Sequence, residues 1–63
     1  MSLTLLEVKE NAEYNLNELP NIPLAKVIGE SQLHNYNLLI KAGETDDSDF
    51  DEAVKRHPEL KIK

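Results

Sequence analysis

The sequence predicts an all-α fold, a small single-domain bundle of three to four short helices within residues 1–63. Apolar residues recur at gaps of three and four in three separate stretches, and no stretch alternates apolar and polar residues long enough to make a strand. Start and stop signals bracket these stretches: Thr4 with Glu7, Pro20, Pro23, Gly43, Ser48 with Asp51, and Pro58. A chain of 63 residues, 40% of them hydrophobic, supports one small core, since a domain of this size hides only about 60% of its unfolded surface.

The first helix is predicted from Leu5 to Leu19, with Leu5, Val8, Ala12, Leu16 and Leu19 on one face. Thr4 and Glu7 have the spacing of a capping box, and Pro20 disfavours helical geometry at the residue before it. Pro20-Asn21-Ile22-Pro23 then reads as a stiff connector, with Pro23 suited to open the next helix. Leu24, Val27 and Ile28 form an apolar patch, and Leu33, Tyr36, Leu39 and Ile40 keep helical spacing up to Gly43. Gly29 lies between the two sets, and we expect it to mark a bend, with Ser31 capping a separate helix beyond it. Phe50, Ala53 and Val54 make the last stripe, with Ser48 and Asp51 as its capping box. Residues 58–63 place Leu60 and Ile62 among charged residues, a segment that either lies against the core or frays.

Twelve acidic residues against seven basic ones give a net charge of −5, which leaves no overall positive field for nucleic acid or anionic lipid. Without cysteine there is no disulfide, thiolate site or thiol nucleophile. The opening residues lack the basic start and apolar length of a signal peptide, and no apolar run reaches membrane-spanning length. The expectation is a cytoplasmic protein without a membrane role. A single core this small seldom yields more than ~3–5 kcal/mol, so a homodimer is a further expectation.

Catalytic, cofactor and metal sites are not expected. Asp47, Asp49 and Asp51 alternate like the start of a calcium loop, but the sixth and twelfth positions are Glu52 and Pro58 where that loop needs Gly and Glu. His34 and His57 have no metal-ligand spacing, while Ser2, Ser31 and Ser48 stand at expected helix starts. The densest charge lies from Glu44 to Glu52, six acids without a base. Asp49, Asp51 and Glu52 suit the start of a helix, and Lys55, Arg56 and His57 its end. Glu44, Asp46 and Asp47 precede that helix and are candidates to meet a basic surface on another protein.

The segment Pro23 to Ala42, PLAKVIGESQLHNYNLLIKA, resembles a helix-turn-helix, with Ala25 at the small position of a first helix and Gly29 in the turn. Gly29, Ser31, His34, Asn37, Leu38 and Leu39 are similar to the turn and second helix of the plasmid-partition ParB group, with Asn35 where that motif buries Val or Ile. The resemblance implies a DNA-binding regulator in which Ser31, Gln32, His34 and Asn35 face bases and Lys26 and Lys41 meet phosphates. Two functional readings follow. The first is a small acidic, non-enzymatic module that binds another protein, in the manner of an inhibitor, antitoxin, adaptor or phage-type accessory factor. The alternative is a small regulator that reads DNA through residues 24–42.

Overall fold

The first helix starts where the loop from a distant part of the chain supplies acceptors. In the computed structural model, which describes residues 3–62, α1 runs from Leu5 to Glu18. Its first three amides cannot bond within the helix. Leu5 N donates to Ser48 O at 2.9 Å, Leu6 N to Asp46 O at 3.0 Å, and Glu7 N to the Thr4 hydroxyl at 3.3 Å. The Glu7 carboxylate accepts from Thr4 N at 2.9 Å, which completes the capping box anticipated from the sequence. Leu19 is the C-cap rather than the last helical residue.

The second helix, α2, is one unbroken helix from Pro23 to Lys41. The bend expected at Gly29 does not form, Ser31 caps nothing, and the described residues hold three helices rather than four. Gly29 has another purpose. A Cβ built on it would stand 2.7 Å from Leu16 Cγ and 3.0 Å from the Ala12 carbonyl oxygen, so its missing side chain lets α2 lie directly against α1. Ala12 and Ala25, both buried, line the same seam. The carboxyl end of α2 follows its sequence signal. Gly43 has φ +104°, its amide donates to Ile40 O at 3.0 Å, and Glu44 N donates to Leu39 O at 3.1 Å. These two bonds are the paired closure of a Schellman motif.

The third helix, α3, spans Phe50 to Arg56. Its cap is Asp49, whose carboxylate accepts from Glu52 N at 3.0 Å, and not Ser48 as the sequence suggested. Phe50 N donates to Leu3 O at 2.7 Å, and Thr4 and Asp49 form an isolated antiparallel bridge. This pairing fixes which residue of the Ser48-Asp49 pair stands at the helix entrance.

Leu5, Leu39 and Ala53 are fully buried and centre the core, with Tyr36, Ile40, Phe50, Val54, Leu60 and Ile62 packed around them. The tail therefore lies against the core through Leu60 and Ile62, while Lys63 is outside the described residues. Ser2, expected at a helix start, is also outside them. The result is an α1/α2 hairpin with α3 and the tail covering its base, where α1 begins and α2 ends. The opposite end, the tip, comprises the end of α1, residues 19–22 and the start of α2. The whole measures 35 × 20 × 20 Å.

Candidate interaction surface

Leu24, Val27, Ile28, Ser31, Asn35 and Leu38 fall within one arc of α2 at 100° per residue. From Leu24 to Asn35 along that arc burial increases. Leu24 is 67% exposed, Val27 58% and Ile28 39%, whereas Asn35 is only 4% exposed. Ser31 and Leu38 are partly buried. The same face is thus covered at the base and open at the tip. Ile22, just before α2, adds a further exposed aliphatic side chain.

The tip encloses small residues and displays large ones. Ala12, Ala25 and Gly29 are buried in the helix seam, with Leu16 and Leu19 partly buried beside them. Alanine and glycine are what close helix approach demands, but they contribute little apolar area of their own. The large aliphatic side chains of this end of α2 face water. The sequence marked Leu24, Val27 and Ile28 as an apolar patch, yet their spacing could not say whether anything covers them.

The acidic residues singled out from the sequence have distinct placements. Glu44 is held inside the protein's own network. Its carboxylate accepts from Arg56 Nη2 at 2.7 Å and Arg56 Nε at 3.0 Å, from Ser48 Oγ at 2.8 Å, and lies 2.8 Å from His57 Nε2. The bidentate Arg56 contact first, then the Ser48 and His57 bonds, hold its pKa down at about 2. Asp46 accepts from the Tyr36 hydroxyl at 2.6 Å, a bond that raises the phenol pKa. Lys9 Nζ stands 5.6 Å above the centre of the same ring. Asp47 is exposed.

Ser48, Glu44 and His57 are joined, but in an order that does not make a nucleophile. Glu44 stands between the other two, so Ser48 gives its hydrogen bond to a carboxylate and not to the imidazole. His57 Nδ1 is 3.5 Å from Glu59. The set is a clasp joining the loop after α2 to the end of α3. Among the described residues there is no cavity and no group of three or more His, Asp or Glu side chains placed to hold a metal ion. Nor is any described helix long and apolar enough to cross a membrane.

The residues named for DNA reading are distributed around one unbroken helix. Lys26, His34 and Lys41 are exposed, Ser31 is partly buried, and Asn35 is buried. Gln32 accepts a hydrogen bond from Asn11 Nδ2 of α1 at 3.0 Å, which ties it to the hairpin. Comparison of the chain with protein-family models, with curated proteins and with solved structures found no match.

Proposed function

We propose that this chain is a small non-enzymatic helical module that works by binding another protein. The observation that carries the reading is the open apolar face of Leu24, Val27 and Ile28 at the tip of α2. Single exposed leucines need no explanation, but neighbouring aliphatic side chains on one helix face, bordered by polar surface, are the usual mark of an interaction site. Glu44 and Asp46, both engaged within the fold, direct attention away from the acidic loop and toward this face.

Photo-crosslinking tests the reading. Benzoylphenylalanine is placed at Val27, or at exposed Asn17 as a control, and irradiated in the native cell. The reading expects one discrete adduct from position 27, absent from position 17 and abolished when Leu24→Asp is added. Equal adducts from both positions, or none from position 27, would reject it. Leu24→Asp should itself shift stability by no more than about 0.5 kcal/mol, because the side chain is mostly in water already.

A further inference from the structure

We draw no further inference here: the strongest candidate, the exposed apolar face of Leu24, Val27 and Ile28 on α2, belongs to the surface already described, and nothing in the structure shows what covers it.

Discussion

A methyl group at Gly29 would press on the branch point of Leu16 and on the backbone of α1, neither of which is the free end of a flexible side chain. In an open helix Gly→Ala stabilises by about 1 kcal/mol, but overpacking at a tight contact costs about 1–3 kcal/mol. Gly29→Ala should therefore lower stability by roughly 1 kcal/mol, read from chemical denaturation with helix content unchanged. Gly43 has the reverse requirement, with nothing within 4 Å of a Cβ but φ at +104°. Gly43→Ala should cost about 1–2 kcal/mol through backbone conformation alone, and Gly43→Asn less. Glu44 makes a pH prediction. Its pKa falls from 4.5 to about 2 on folding, so its stabilisation is complete above the higher value and is lost as pH drops through the lower one. Melting temperature should fall between those limits, and Glu44→Gln should start lower and flatten that part of the profile; an unchanged slope would refute the clasp.

Seven residues are too few for a helix that holds itself together, so α3 depends on what surrounds it. Asp49 caps its start, Ala53 is buried in the core, and Arg56 and His57 grip Glu44 at its end. Asp49→Ala should cost about 1 kcal/mol, seen as a lowered denaturation midpoint, whereas Ser48→Ala should leave the cap intact and weaken only the bond to Glu44. This pair shows what was legible in the sequence. Thr4 with Glu7, Pro23 and Gly43 act over three or four residues, and those ends were readable. Ser48 and Asp49 are both competent caps, and the choice between them rests on pairing with Leu3 and Thr4, more than forty positions away in the sequence. A local rule places a bend at Gly29 because it cannot register that Leu16 crosses it. The Glu44 clasp spans 12 and 13 positions and has no periodic signature. Exposure of Leu24, Val27 and Ile28 was equally hidden, since covered and uncovered stripes have the same spacing.

At the scale of the whole molecule, stability is unevenly distributed. The base holds the two largest fully buried side chains, Leu5 and Leu39, together with the capping bonds from the loop to α1. The tip holds a seam of alanine and glycine. Removing Leu39 to alanine should cost about 2–5 kcal/mol, comparable to the ~3–5 kcal/mol that a core of this size supplies, so Leu39→Ala should be largely unfolded at ambient temperature. Local opening should follow the same gradient, because it is easiest where few apolar contacts are lost. In native-state hydrogen exchange, amides in the last turn of α1 and the first helix-bonded turn of α2 should exchange through openings of low free energy. Those of Val8 and Ala42, whose bonds close at the base, should exchange only with global unfolding. Val27→Asp should leave both classes nearly unchanged, since Val27 is mostly in water in the free chain. Binding of a partner across Leu24, Val27 and Ile28 should slow the tip amides toward the rate of the base. Equal protection along both helices in the free chain would mean that the alanine and glycine seam is already as stable as the base, and that the tip needs no cover.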